Sequence, residues 1–200
     1  KGALGPGGIA YPKTTQIAAA TKFIKANRKK IALITVSISG NDVTKCASAA
    51  NAITCVQDAQ KAINDNVGTI ATTLRKAAGP KPKIVGTTYP DVILGGWVNP
   101  GTDGAKKLAP LSQVAFKSII NPALKDGYAA GKASFVDVTA ATGGYDPLTT
   151  LVNDPKYGSI PKPVQTICDI GYYCQLGDIH LKRSGYRVIS GLVAKQLPKK

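Results

Sequence analysis

The sequence predicts an α/β fold with a central parallel sheet covered by helices on both faces. Two observations carry the prediction. Three short segments, "IALITVSI" (31–38), "KIVGTTYP" (83–90) and "ASFVDV" (133–138), are nearly continuous in apolar and β-branched residues, the pattern of strands buried on both faces. Segments with apolar residues at helical spacing alternate with them, and such alternation returns the chain in parallel. At 200 residues and 44% hydrophobic content, the chain is long enough for one domain with a real core and short for two, so residues 1–200 are read as a single domain.

Taken in order, the opening "KGALGPGGIAYPKTT" is rich in Gly and Pro and reads as loop. From Thr15 to Lys30, Ile17, Ala20, Phe23 and Ile24 recur at helical spacing, with Lys22, Lys25, Arg28 and Lys29 on the other face. This amphipathic helix feeds the strand Ile31 to Ile38. Residues 56–78 give a second helix, stopped by "GPKPK". A short strand in "KIVGTTYP" ends at Pro90, and an irregular stretch with Trp97 follows. Residues 110–130 are helical in pattern, with Pro122 expected to break or kink the run. "ASFVDV" is the third strand, residues 139–168 are expected to be mostly loop, and "SGYRVISGLVAKQL" is a closing helix.

Charge and cysteines bound the setting. Lys and Arg number 26 against 11 acids, all Asp, for a formal charge of +15. Such a surface attracts anionic wall polymers, phospholipid headgroups or nucleic acid, but the lysines are spread along the chain and no basic run is interleaved with aromatics, which argues against nucleic acid. Cys46 with Cys55 and Cys168 with Cys174 form two close pairs. Neither has metal-site spacing, so two local disulfides are expected, and with them an oxidising, extracellular location. No signal peptide is present, so an exported protein would be a processed chain. No apolar run approaches the roughly 18 residues of a membrane span, and neither metal nor cofactor is expected.

In open parallel sheets, chemistry gathers beyond the carboxyl ends of the strands. Ser39, Gly40, Asn41 and Asp42 follow the first strand there. Asn41 offers an amide donor and Gly40 lets the backbone turn beside it, an arrangement that can hold an oxyanion; capping of the next turn by Asn-Asp is the simpler reading of the same residues. His180 is the sole histidine, and with Glu absent it is the one side chain titrating near neutrality without a special environment. Alternation along an extended loop would put Asp178 on its side, where a carboxylate fixes the tautomer of a general base.

The blocks "LITVSISGNDVTKC", "KIVGTTYPDVILGGW" and "DIHLKRSGYRVIS", in this order, resemble the SGNH (GDSL-type) serine hydrolases, particularly secreted bacterial lipases and esterases. The resemblance runs from about Thr15 to Leu197. It implies a flavodoxin-like three-layer α/β/α sandwich that hydrolyses lipid or small acyl esters, with Asn41 and Gly40 in the oxyanion hole, His180 as base, Asp178 as its acid partner, and Tyr89 and Trp97 as substrate-binding candidates. Three departures stand out. The motif's leading Gly is Ser39 here; the family's acid lies three residues before the His, where Gly177 stands; and the Gly-Asp-Ser block that supplies the nucleophile is absent. Gly2, Gly5, Gly7 and Gly8 are equal candidates for the remaining oxyanion-hole glycine. The nucleophile and the first strand are therefore expected on a segment outside this chain, the N-terminal fragment of the same precursor, pairing with the edge of Ile31–Ile38. The alternative is a non-catalytic relative that holds anionic wall or polymer surfaces through its charge.

Overall fold

The computed structural model of the chain describes residues 14–44, 46, 49–99 and 105–198. The Gly/Pro-rich opening and its four candidate glycines lie outside the described residues. Thr15 begins the first helix, α1 (Gln16–Asn27), its Oγ1 accepting the Ala18 N–H at 3.2 Å, and Ile24 is its buried anchor. The first strand is shorter than the sequence pattern, β1 (Leu33–Val36), and runs into a single helical turn, α2 (Gly40–Thr44). The second long helix starts four residues earlier than expected, α3 (Ala52–Ala78). Asn51 caps it by accepting the Thr54 N–H, and Val56, Ile63, Val67, Ala71 and Leu74 bury one stripe.

Beyond it come β2 (Lys83–Thr87) and a 3-10 turn at Val92–Trp97. Residues 105–130 are one bent helical run: α4 (Ala105–Ala115), a π segment at Phe116–Ile120, and α5 (Asn121–Ala130). Pro122 sits in the first turn of α5, and the widened π segment before it absorbs the bend that the missing N–H requires. The chain continues through β3 (Ser134–Val136) and the short α6 (Val138–Ala141).

The expectation of loop over residues 139–168 is corrected. An antiparallel hairpin, β4 (Leu151–Asp154) and β5 (Gly158–Pro161), is followed by α7 (Lys162–Ile170). Asp154 Oδ1 closes the hairpin by accepting the N–H groups of Lys156 and Tyr157 at 2.9 and 3.0 Å. The short α8 (Tyr173–Leu176) and the closing α9 (Arg183–Ala194) complete the fold.

The main sheet is parallel throughout, in the order β1-β2-β3. Successive strand residues feed opposite faces. Val36 and Ile84 join α1, α3 and α5 in one core, whereas Val85 and Val136 meet Val193 of α9 in another. Gly86 has a specific duty, because a Cβ there would lie 2.4 Å from the Tyr128 ring. The ring rests flat on β2 instead, and its hydroxyl reaches the carbonyls of Val36 and Thr87 at 3.2 and 3.3 Å, tying the carboxyl ends of β1 and β2 together. No described strand pairs with the outer edge of β1, where Thr35 and Ser37 are exposed.

Both expected disulfides are present, Cys46–Cys55 and Cys168–Cys174. No helix among the described residues is long and apolar enough to cross a membrane.

Candidate active site

The carboxyl ends of β1 and β2 open into a cavity of about 630 Å³. Its polar groups converge from distant parts of the sequence: Ser39, Gly40 and Asn41 after β1, Tyr89 after β2, and His180 on the loop before α9. The rest of the wall is mainly apolar, supplied by Ile53 and Val56 of α3, Leu108 and Leu111 of α4, Phe116, and Ile189 of α9. Such a combination, an apolar pocket with a few convergent polar groups at a strand terminus, is the usual form of a small-molecule site.

His180 is held by its surroundings rather than by burial. The Cys168–Cys174 bridge joins α7 to α8, and Gly171 and Leu181 form an isolated antiparallel bridge across the loop. Within that bridge the Tyr172 N–H donates to the His180 carbonyl at 3.1 Å, and the Lys182 N–H donates to the Ile170 carbonyl at 2.8 Å. Gly177 ends α8 at φ 65°, in the left-handed region that glycine adopts without steric cost. The carboxylate is carried one residue on: Asp178 Oδ1 lies 2.5 Å from His180 Nδ1 and accepts the His180 backbone N–H at 2.8 Å. These two contacts hold the Asp178 carboxyl below its usual range, the backbone one contributing most. With Nδ1 turned to the carboxylate, Nε2 is the nitrogen left to exchange a proton with a substrate.

After β1, the Gly40 N–H donates to Tyr89 Oη at 3.4 Å, so the phenol positions the turn that carries Asn41. Burial raises the Tyr89 hydroxyl above its ordinary pKa, with the Ser37 hydroxyl and the Gly40 N–H opposing. Ser39, where the resemblance would place Gly, stands at φ 81°. A non-glycine residue there carries roughly 1–2 kcal/mol of strain. Ser39→Gly is therefore expected to raise stability by about 0.5–1 kcal/mol, after the larger chain entropy of Gly is deducted. A urea midpoint that falls would show that the Ser39 side chain holds the turn through contacts of its own.

Trp97 is not among the residues lining the cavity. It packs on the core formed by the hairpin and α7, with Lys106 Nζ 4.7 Å from its ring centroid. Sequence reasoning also passed over a buried pair in the cavity wall. Asp91, between the lining residues Pro90 and Val92, is fully buried, and Ser112, another lining residue, donates to its Oδ2 at 2.7 Å. The same Ser112 hydroxyl faces the Ala109 carbonyl at 2.9 Å, and one hydrogen cannot serve both acceptors. Asp91 Oδ1 has no hydrogen bond of acceptable geometry, although the Ile93 and Leu94 N–H groups are near enough to favour ionisation a little. A proton on Asp91 resolves the shortage: the carboxyl donates to Ser112, and Ser112 donates to Ala109. Burial accordingly pushes the Asp91 carboxyl up to about 7.

Comparison of the chain with protein-family models, with curated proteins and with solved structures finds no match.

Proposed function

We propose that this chain is the major part of a secreted serine ester hydrolase of the lipase/esterase type, an SGNH-like enzyme on a flavodoxin-like α/β/α sandwich, with its nucleophilic Ser on a segment outside these 200 residues. The observation that carries the reading is the convergence of Asn41 and the Asp178-held His180 on one largely apolar cavity at the carboxyl ends of parallel strands. In this reading His180 Nε2 takes the Ser proton as the hydroxyl attacks the ester carbonyl, and Asp178 stabilises the imidazolium. Asn41 Nδ2 donates to the oxyanion, and His180 then returns the proton to the leaving alcohol. Water repeats the sequence on the acyl-enzyme.

The outer edge of β1 supports the placement of the missing nucleophile. A parallel strand added there would end at the same rim as Ser39 and Asn41, and would cover an apolar strand edge that otherwise invites aggregation. Asn41→Ala tests the oxyanion assignment. Hydrolysis of a short p-nitrophenyl ester by the complete protein is expected to fall by about 10² to 10³, and a loss below tenfold would return Asn41 to a capping role. The second reading, a non-catalytic binder of anionic wall or polymer surfaces, is favoured by the +15 charge and by the absence of Gly-Asp-Ser. Ester hydrolysis that withstands repurification and depends on Asn41 would exclude it.

A further inference from the structure

We propose that the cavity mouth is a docking face for anionic lipid bilayers. Apolar side chains stand exposed around it: Leu111 is 40% exposed, Ile179 46% and Tyr186 54%, and all three line the cavity. Val114, 50% exposed, extends the same stripe of α4 beyond Leu111. An exposed apolar cluster at the rim of a pocket marks an interaction surface rather than ordinary surface scatter.

Charge selects the occupant. On α4, Lys107 precedes Leu111 by one turn on the same stripe, and on α9 Arg183 lies one turn before Tyr186 while Arg187 follows it directly; all three cations are exposed. Among the described residues, the acids beside the cavity are Asp42 in its wall, Asp91 buried behind it, and Asp178, held on His180. On α4 and on α9, an exposed apolar side chain at the mouth thus has an exposed cation within one turn of it. That pairing suits an acyl boundary beneath negative headgroups, where apolar insertion and headgroup attraction add. A second copy of this chain would bring cations against cations and fits the face less well.

The proposal uses the ester-site reading only for its consequence, delivery of an acyl chain to the cavity, and the binding is measured without turnover. Sedimentation of the complete protein with phosphatidylcholine vesicles, with and without about one-third phosphatidylglycerol, is the experiment. Binding to the anionic vesicles is expected to be at least tenfold tighter and to weaken as salt shortens the screening length. The double variant Leu111→Asp, Ile179→Asp is expected to lose at least tenfold of it. Leu151→Asp, on the hairpin strand that does not line the cavity, is expected to bind as the parent does, with thermal midpoints checking the fold of each variant. Equal binding by the double variant and the parent would reduce the effect to diffuse charge attraction and overturn the proposal. So would equal binding to both vesicle types, or lipid-free self-association abolished by the double variant, which would assign the face to a second copy.

Discussion

Replacing His180 by Ala is expected to lower ester hydrolysis by about 10² to 10⁴, the range for loss of a general base, while leaving the thermal midpoint nearly unchanged. The two halves of this expectation have separate causes. The imidazole is the exposed proton-carrying group at the cavity, and its Nδ1 is already committed to Asp178, which leaves Nε2 for the substrate. Its contribution to folding is small, because the His180 side chain is 72% exposed and that of Asp178 43%. The loop is fixed by bonds that the substitution keeps: the Tyr172 and Lys182 backbone contacts and the Cys168–Cys174 bridge. Steady-state kinetics should place the loss in kcat more than in KM. Unchanged turnover would end the acyl-transfer reading, and a collapsed midpoint would make His180 a structural residue.

Stability is expected to fall between about pH 4 and pH 7, and Asp91→Asn is expected to abolish most of that fall. Burial raises the Asp91 carboxyl from 3.8 to about 7 in the folded protein. Below the lower value both states hold the proton; between the two values only the folded state does; above the upper value neither does. Stability therefore drops as pH rises through the window, opposite in sign to a salt-bridged carboxylate. The full difference between the two values corresponds to roughly 4 kcal/mol at pH 8. Asn keeps the shape and can donate to Ser112 without a charge, so the variant should gain on the order of 2–4 kcal/mol over the parent at pH 8 and little at pH 4. Urea unfolding of both proteins across the range measures this. Parallel pH profiles would mean that Asp91 is ionised and solvated in the folded chain.

The centre of the sheet was legible in the sequence because β2 is buried almost throughout. Ile84 and Val85, neighbours in β2, go to opposite cores, and that demands the continuous apolar run seen in "KIVGTTYP". The hairpin was not legible for the converse reason. β4 and β5 alternate around few buried positions, with Ile160 buried and Leu151 exposed, so no periodic signal rises above the loop-like composition. The Pro residues of "IPKPV" concealed α7, although they fall at its cap and in its first turn, where a missing N–H costs nothing.

In the site, side-chain type and spacing offered Asn41 and the Asp178–His180 pair as candidates, with capping the simpler reading of Asn41 without the family resemblance. The two-residue separation puts the carboxylate on the imidazole because Gly177 turns the chain beforehand. Tyr89 reached the cavity and Trp97 did not, a difference decided by where the 3-10 turn packs. Asp91 and Ser112 could not have been paired in advance. They meet only because that turn lies against α4, and nothing in either segment alone marks the contact.

The most direct measurement is labelling with a fluorophosphonate, which phosphonylates an activated Ser, followed by peptide mapping of the protein as it occurs with its precursor segments. The expected result is one labelled Ser in a Gly-Asp-Ser peptide lying outside these 200 residues, with labelling lost in His180→Ala. No labelling of a correctly folded protein, or labelling of Ser37 or Ser39 within this chain, would contradict the proposed site.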